Sequence, residues 1–334
     1  MSRARCDHYG RRMGFAEELV AGPRGRRLCC SVVMARERAQ SGADVVRAAR
    51  SADPDSLARW EVSDFLGPLA DAVDSAMYWQ EPDEVDSALA DPQVADALLP
   101  TARAVAEATA NRWWFEPVDP DRQFHVEFEH TGPPLPGNSG AELASWREAT
   151  AEDERRAEHR PPDPSAPYSG IWWSSPPGSL LTTTRALPGL GPLGLCLEED
   201  SFGPEQAWCR AARPVRPPEI YEITGPGAWA ELAARYPFEV SLSRRHDWWK
   251  VSGWEGRWLL PDWAAVAADY DAVHLTAAGY LTTAGRALRV EHDTCTMLAG
   301  WDPDQSFWLT DSLALDPPTP WRGDAGDLTT WSPA

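Results

Sequence analysis

The chain has 334 residues and a formal net charge of −20 at pH 7, with 31 Lys and Arg against 51 Asp and Glu. A surface this acidic repels the phosphates of nucleic acids and anionic membranes, so we expect neither as a partner. No apolar stretch reaches the roughly 18 residues of a membrane span, and no signal-peptide core follows the Arg-rich start, so we expect a cytoplasmic protein. Arg outnumbers Lys by 30 to 1, a bias typical of high-GC genomes.

Residues 14–112 have the pattern of a small helical bundle. Apolar residues recur every three or four positions in "FAEELVA", in "RRLCCSVVMARERAQ" and in the segments that follow. Gly67 and Pro68 are expected to split one segment into two helices, and Pro100 to kink or break the next. Residues 1–13 are expected to be disordered or a mis-assigned translation start.

From residue 113 to 315 the pattern changes to short β-like runs between Pro and Gly. It predicts an α+β fold, in which the bundle precedes a Trp-rich α+β domain with a short, mostly antiparallel sheet. We expect strands at "RQFHVEFEH", "GIWWSS", "PEIYEI", "DAVHLT", "MLAGW" and "QSFWLTD", and helices at "GAWAELAARY" and "PDWAAVAADY". Residues 131–169 are expected to form a loop, a charged solvent-facing helix and a Pro-rich linker, and residues 316–334 a loose tail.

Five of the 18 Trp fall within sixteen residues: Trp248, Trp249, Trp254, Trp258 and Trp263. Such a cluster predicts either an aromatic core or the wall of a ligand site. Trp263 lies in the first turn of an expected helix and should pack inward. Trp248 and Trp249 would face opposite sides of a strand, so at most one is buried in the same core. Trp254 flanks a Gly-rich turn and is the candidate exposed ring for a ligand.

Two histidines inside regular elements are candidate catalytic residues. His125 lies on an alternating strand and His274 lies in "DAVHLT". Asp271 precedes His274 at a helix-to-strand junction, where side chains commonly open into clefts, and Tyr270 is a candidate ligand contact beside it. Each histidine also fits the simpler interpretation of a hydrogen-bonded core residue.

The run "GIWWSSP" supplies further candidates for catalysis and binding. Hydroxyls such as those of Ser174 and Ser175 can hold a ribose or a carboxamide at a strand end, and Trp172 or Trp173 can stack a flat ring. An edge strand with ordinary Trp packing explains the same residues.

Other motifs predict no cofactor or metal site. "GLGPLG" matches a dinucleotide-binding pattern, but its two Pro and the missing helix favour a turn. "WDPDQS" begins like a calcium loop and then lacks the obligatory Gly and Glu. The cysteines have no C-x-x-C spacing, so a zinc site is not expected.

The order of elements in 113–315 resembles the ADP-ribosyltransferase family. In that family a first strand has a basic residue that anchors NAD, which Arg122 or His125 would match, and a later strand ends in a serine motif, which Ser174 or Ser175 would match. The late glutamate of the family has no counterpart, and Glu291, Asp302 or Asp304 would have to replace it. The resemblance implies NAD as cosubstrate and a protein or small molecule as acceptor.

Three classes of function stay open from the residues. The first is a binding protein whose Trp-rich cleft takes a small molecule or a protein partner. The second is an NAD-using enzyme of the kind the resemblance implies. The third is an acidic protein that neutralises a basic target, as immunity proteins do.

Overall fold

A computed structural model of the chain describes residues 14–34, 41–129, 137–324 and 326–334. The expectations for residues 1–13 and for the loop at 131–136 therefore lie outside the described residues. The rest of the chain has the α+β fold expected from the pattern.

The described residues contain eleven α-helices, numbered in chain order: α1 (Phe15–Ala21), α2 (Pro23–Met34), α3 (Gly42–Ser51), α4 (Val62–Asp74), α5 (Glu84–Leu89), α6 (Pro92–Glu107), α7 (Ser139–Arg156), α8 (Pro226–Arg235), α9 (Arg245–Ser252), α10 (Trp263–Val266) and α11 (Ala277–Thr283). They contain four short 3-10 helices: Pro54–Arg59, Thr109–Phe115, Ala157–His159 and Leu193–Leu195. They contain fourteen strands: β1 (Gln123–Phe128), β2 (Thr182–Leu187), β3 (Gly191–Pro192), β4 (Gln206–Pro214), β5 (Ile220–Ile223), β6 (Pro237–Glu239), β7 (Arg257–Pro261), β8 (Ala272–Leu275), β9 (Leu288–Glu291), β10 (Thr294–Thr296), β11 (Gln305–Trp308), β12 (Leu313–Leu315), β13 (Thr319–Asp324) and β14 (Asp327–Pro333).

Prolines do not interrupt the two helices where breaks were expected. Pro68 lies inside α4 and Pro100 lies inside α6, and both helices continue through them. An interior proline costs about 3 kcal/mol. In α4 the burial of Phe65, Leu69 and Val73 offsets that cost, because each fully buried side chain contributes roughly 1.5–3 kcal/mol. The expected split at Pro68 is therefore wrong.

The strands form a large sheet and a small one in the described part of the chain. The large sheet follows the order β14-β13-β4-β1-β2-β11-β8-β5, with β12 paired to β4 and β3 paired to β2. The small sheet follows the order β6-β7-β10-β9. Named strands pair antiparallel except β5 with β8 and β7 with β10. The mostly antiparallel pairing is confirmed, but the large sheet, with ten strands, exceeds the short sheet expected.

The C-terminal residues account for part of that difference, because they form a hairpin instead of a loose tail. β13 pairs with both β4 and β14. Trp321 lies against Gly191, and the Trp331 ring centroid is 6.0 Å from that of Phe128. The Pro, Gly and Asp content suggested coil, but two half-buried indoles anchor the hairpin to the sheet.

Two expected strands are not strands in the structure. The run "GIWWSS" is extended but unpaired, although Ser174 N–H donates to the Ala299 carbonyl at 2.9 Å. "MLAGW" contributes an isolated bridge between Leu298 and Ala284. Its Met297 and Leu298 are fully buried, so their apolar character reflects core packing and not a ladder of strand hydrogen bonds.

The charged helix α7 is present as expected and is mostly exposed. It is not purely solvent-facing, because Leu143 and Thr150 are buried. Its Glu154 carboxylate also accepts hydrogen bonds from the backbone N–H groups of Leu242 and Ser243, at 2.8 Å each. This helix therefore holds the start of the α9 region in place.

Eight of the 18 tryptophans are buried to 8 % exposure or less: Trp113, Trp114, Trp229, Trp248, Trp258, Trp263, Trp301 and Trp308. Trp263 packs inward as expected. Trp248 and Trp249 lie on helix α9 and not on a strand, so the strand prediction for them is wrong. Only Trp248 of the two is buried, which agrees with the expectation that at most one would be. Trp254 is half-buried beneath the Arg289 guanidinium and is not the exposed ring that was expected.

One apolar core joins the N-terminal helices to the rest of the chain. Leu19 of α1 and Leu69 of α4 belong to the same cluster of buried side chains as Tyr280 of α11. Helix α11 contacts both α1 and α2. The helices 14–112 therefore form a layer against the α+β part, and clefts between the two are candidate sites.

Candidate functional site

The strand register places both candidate histidines on the same face of the large sheet. His125 pairs with Arg210 on one side, and the register of Phe124 with Thr184 places His125 beside Thr183 on the other. Ser306 pairs with Thr183 and with His274, and His274 pairs with Glu222. Side chains of paired residues share a face. The resulting polar row contains Arg210, His125, Thr183, Ser306, His274 and Glu222.

His274 lies at the centre of a charged cluster in this row. Its Nδ1 is 2.6 Å from Glu222 Oε2, and its Nε2 is 3.4 Å from Asp304 Oδ1. Arg185 Nε donates to the same Asp304 oxygen at 2.6 Å. His274 and Asp304 are each 1 % exposed and are almost fully desolvated, whereas the Glu222 side chain is 24 % exposed.

The surroundings of His274 favour its charged form. Burial lowers the pKa of a histidine, but the hydrogen bonds and negative charges of Asp304 and Glu222 outweigh burial and raise the pKa to about 9. Asp304 adopts a φ of 58°, a left-handed conformation in which residues other than Gly, Asn and Asp are rare. The position of His274 between Glu222 and Asp304 therefore favours the imidazolium form.

His125 is in a different environment. Its Nδ1 lies 2.7 Å from the Thr182 carbonyl oxygen, and burial is the main cause that lowers its pKa. His125 and His274 are three strand spacings apart, roughly 14 Å at about 4.8 Å per spacing. The structure thus places both on one face but in separate sites.

The Asp271 carboxylate accepts hydrogen bonds from loop residues, and none of its described hydrogen bonds involves His274. Arg216 donates to both of its oxygens, and Glu219 N–H and Thr310 Oγ1 donate to it at 3.0 and 2.8 Å. Although burial opposes them, these hydrogen bonds lower its pKa. The neighbouring Tyr270 packs against Tyr221 with ring centroids 5.3 Å apart.

The serine candidates lie apart from both histidines. Ser174 is 1 % exposed and exchanges hydrogen bonds with the backbone of Ala299, while the Ser174 carbonyl accepts from Trp263 Nε1 at 3.2 Å. Ser175 is buried as well. Arg122 is exposed in the turn that leads into β1. Among the described contacts, none brings Ser174 together with Arg122 or His125.

A pocket that the sequence did not predict lies between the helical layer and the α+β part. We call it the interlayer pocket, and its volume is about 290 Å³. It is lined by Ala21, Pro23, Arg24, Arg26, Ser75, Met77, Tyr78, Gln80, Glu81, Pro82, Asp83, Asp86, Ala90, Val251, Ser252, Gly285, Arg286 and Ala287. Gly285 has a φ of 74°, and a Cβ at this position would lie 2.8 Å from the Tyr78 ring. This glycine therefore lets the Tyr78 ring form the pocket wall.

A buried polar group lies behind that wall. The Tyr78 and Tyr280 hydroxyls lie against the Glu199 carboxyl, and Glu199 Oε2 accepts from Gly300 N–H at 2.9 Å. Within the described residues, both hydroxyl oxygens and Glu199 Oε1 are buried without a well-formed hydrogen bond, and so is Arg24 Nε. Leaving such a group unpartnered costs about 1–3 kcal/mol.

The carboxyl groups near this wall are held close to neutrality. Burial, and next the charge of Asp302, raises the pKa of Glu199 to about 8. Burial, and next the charge of Glu198, raises the pKa of Asp302 to about 7. Perturbed pKa values beside a pocket are common at functional sites. Asp302 lies in the run "WDPDQS", but no motif in the sequence marks Glu198 or Glu199 or joins them to Asp302, because the two segments are far apart in the chain.

Comparison with family models, with curated proteins and with solved structures finds no match to this chain. No helix in the described ranges is long and apolar enough to cross a membrane. The part of the chain that the structure describes contains no group of three or more His, Cys, Asp or Glu that could hold a metal ion. The function must therefore be inferred from the geometry.

Proposed function

We propose that the protein binds a small, uncharged polar molecule in the interlayer pocket. The observation that carries this proposal is the pocket itself, with a volume of about 290 Å³ between the helical layer and the α+β part. Its lining includes polar side chains such as Arg24, Ser75 and Gln80. A ligand with hydroxyl or amide groups can form hydrogen bonds with such side chains.

The charges of the pocket favour an uncharged ligand. The Arg24 guanidinium donates to the Ala72 carbonyl and to Ser75 Oγ and pairs with Asp86. Arg286 pairs with Glu18 at 2.7 Å. Because these guanidiniums already pair with carboxylates, a charged ligand would find no unpaired opposite charge beside them. The free-energy cost of removing that ligand from water would therefore not be compensated.

The size of the pocket favours a molecule no larger than a monosaccharide or a nucleoside. Its volume lies at the lower end of the range for ligand sites, roughly 300–1,000 Å³. This proposal replaces the expected cleft around residues 248–263, since most of those indoles are packed inside.

The alternative of ADP-ribosyl transfer from NAD has weaker support in the geometry. The residues that carry that resemblance, Arg122, His125 and Ser174, have separate surroundings among the described contacts. A dinucleotide is also larger than the interlayer pocket.

Saturation-transfer NMR tests the proposal with a library of neutral monosaccharides and nucleosides. Val251 lines the pocket, so Val251→Trp should fill it and abolish the signal of any ligand found. Val215→Trp is the matched control, because Val215 is 68 % exposed and outside the pocket. Failure to find a ligand in the library, or a signal that persists in Val251→Trp, would contradict the proposal.

A second variant tests the role of the unpartnered hydroxyl. Tyr78→Phe removes a buried group that costs about 1–3 kcal/mol. We expect the ligand-free protein to melt at a higher temperature, and the affinity for the ligand to stay unchanged, because the hydroxyl faces Glu199 behind the pocket wall. A lower melting temperature would show that the hydroxyl is satisfied within the protein.

A further inference from the structure

We propose that a surface formed by Trp79, Trp173, Phe202 and Asp200 binds an arginine- or lysine-rich segment of another protein. We call this surface the aromatic–acidic patch. None of these four residues lines the interlayer pocket, so binding at the patch does not depend on a ligand in that pocket.

Large exposed apolar side chains concentrate at this patch. Five are exposed in the described ranges: Trp79 at 39 %, Phe115 at 46 %, Trp173 at 40 %, Phe202 at 89 % and Val215 at 68 %. Three of the five border residues 199–202. Scattered single exposures are ordinary, whereas a cluster marks an interaction surface.

Contacts of different kinds connect the three aromatic residues to one short segment. Trp79 Nε1 donates to Asp200 Oδ2 at 3.0 Å. Trp173 lies against Gly300, whose N–H donates to Glu199 Oε2 at 2.9 Å. Phe202 follows Asp200 by two residues. The patch is therefore built around the segment 199–202.

The segment itself is anchored to the end of helix α4. Asp200 N–H donates to the Asp74 carbonyl at 3.2 Å, and Ser201 N–H donates to Asp74 Oδ1 at 3.0 Å. Asp200 has a φ of 50°, a conformation that costs free energy for a residue other than glycine. These contacts fix the loop that displays Phe202, so little ordering entropy is lost when a partner binds.

The charge of the patch selects a basic partner. Its indoles and phenyl ring come from three stretches without Lys or Arg: residues 60–102 with ten Asp and Glu, residues 161–184 with one, and residues 186–209 with four. Asp74, Asp200 and Glu205 form no ion pair with Lys or Arg within the described part of the chain.

Aromatic rings beside unpaired carboxylates suit guanidinium and ammonium groups. Such a cation stacks on an indole face, contributing about 0.5–2 kcal/mol, while its N–H groups bind the carboxylates. A second copy of this chain carries the same net charge of −20, so repulsion disfavours self-association at the patch. The same repulsion disfavours nucleic acid and anionic lipid.

Fluorescence anisotropy with a fluorescein-labelled peptide of alternating Arg and Ala tests this inference. We expect saturable binding that weakens as salt is added. Trp79→Ser, Phe202→Ser and Asp200→Asn should each raise Kd about tenfold or more, the size of an interface hot spot. Asn also accepts the left-handed conformation, so Asp200→Asn keeps the loop geometry.

Matched controls separate the patch from general acidity. Val215→Ser and Asp55→Asn change an exposed apolar and an exposed acidic residue elsewhere and should leave Kd within about twofold. Far-UV circular dichroism verifies that each variant is folded, and Phe202 is too exposed for its loss to unfold the chain. No saturable binding, or equal changes in patch and control variants, would overturn the inference.

The pocket-filling variant keeps the two proposals distinguishable. Val251→Trp should leave peptide binding unchanged, because Val251 lies in the interlayer pocket and not in the patch. Concentration-dependent self-association of the wild-type chain, abolished by Phe202→Ser, would assign the patch to a second copy and overturn the basic-segment assignment.

Discussion

His274 and Glu222 face each other across the parallel pair of β8 and β5, with 2.6 Å between Nδ1 and Oε2. On the antiparallel side, Asp304 approaches the other ring nitrogen. A buried imidazolium is stable only while both carboxylates compensate it. The stability of this sheet is therefore linked to one proton.

The proton on His274 should make folding depend on pH. Its pKa is raised from 6.5 to about 9, which corresponds to stabilisation on the order of 3 kcal/mol. Because the folded-state pKa lies above the unfolded value, this stabilisation is complete below pH 6.5 and is lost as the pH rises through about 9. Urea unfolding of wild type and of His274→Gln at several pH values across this window measures the stabilisation. The difference in the free energy of unfolding between the two proteins should shrink at high pH.

His125 supplies a control of opposite sign. Burial lowers its pKa, so its contribution is present above pH 6.5 and is lost as the pH falls. The difference in unfolding free energy between wild type and His125→Gln should shrink at acidic pH. If both histidine variants showed the same pH dependence, the assignment of charge to His274 would be wrong.

Asp304→Asn should strongly destabilise the fold. The substitution removes the carboxylate that Arg185 and His274 share in a site that is 1 % exposed. Breaking a buried pair from one side costs about 3–5 kcal/mol. Asp316→Asn is the control, because its pair with Arg213 is exposed and contributes at most about 1 kcal/mol. Chemical denaturation measures the free energy of unfolding of both variants. Equal losses of this free energy in Asp304→Asn and Asp316→Asn would contradict the role of Asp304.

Gly279→Ala tests the close packing of α11 on the sheet. A Cβ at Gly279 would lie 2.1 Å from the Ile223 carbonyl oxygen, so backbone must move. We expect a loss of about 3 kcal/mol or more in the free energy of unfolding. Gly140→Ala in α7 meets nothing within 4 Å and should stabilise by up to about 1 kcal/mol. Melting temperatures that move in the same direction would argue against this packing.

Tryptophan fluorescence reports the partition between core and surface. Most indoles are buried or half-buried, so emission should be blue-shifted and largely resistant to acrylamide. The quenchable fraction should fall in the double variant Trp79→Phe and Trp173→Phe. Trp254→Phe should leave it nearly unchanged, because Arg289 covers that ring. A large quenchable fraction that depends on Trp254 would restore the original expectation for that residue.

Much of the fold could be predicted from local patterns. Alternation in "RQFHVEFEH" indicates β1, and the threefold and fourfold spacing in "GAWAELAARY" indicates α8. The failures have a common cause. Pro68 and the Pro-rich C-terminal hairpin have poor local propensity, and contacts with distant residues, such as Trp331 with Phe128, override it.

The candidate sites were harder to predict. His274 was singled out by its position, but Glu222 and Asp304, which set its charge, were not assigned as its partners. Tyr78 and Glu199 had no signal at all, because a tyrosine and a glutamate without a motif look like surface residues. Trp173 was a candidate, and its exposure became apparent only when "GIWWSS" proved to be unpaired.

The sequence by itself determined the α+β class, the acidic surface and most of the helices and strands, since these depend on composition and on periodicity over a few residues. Only the tertiary structure decided which indoles are covered, which carboxylates flank His274 and where the interlayer pocket lies. These properties depend on strand register and on packing between distant segments. A shift of one residue in register would turn His274 to the opposite face of the sheet.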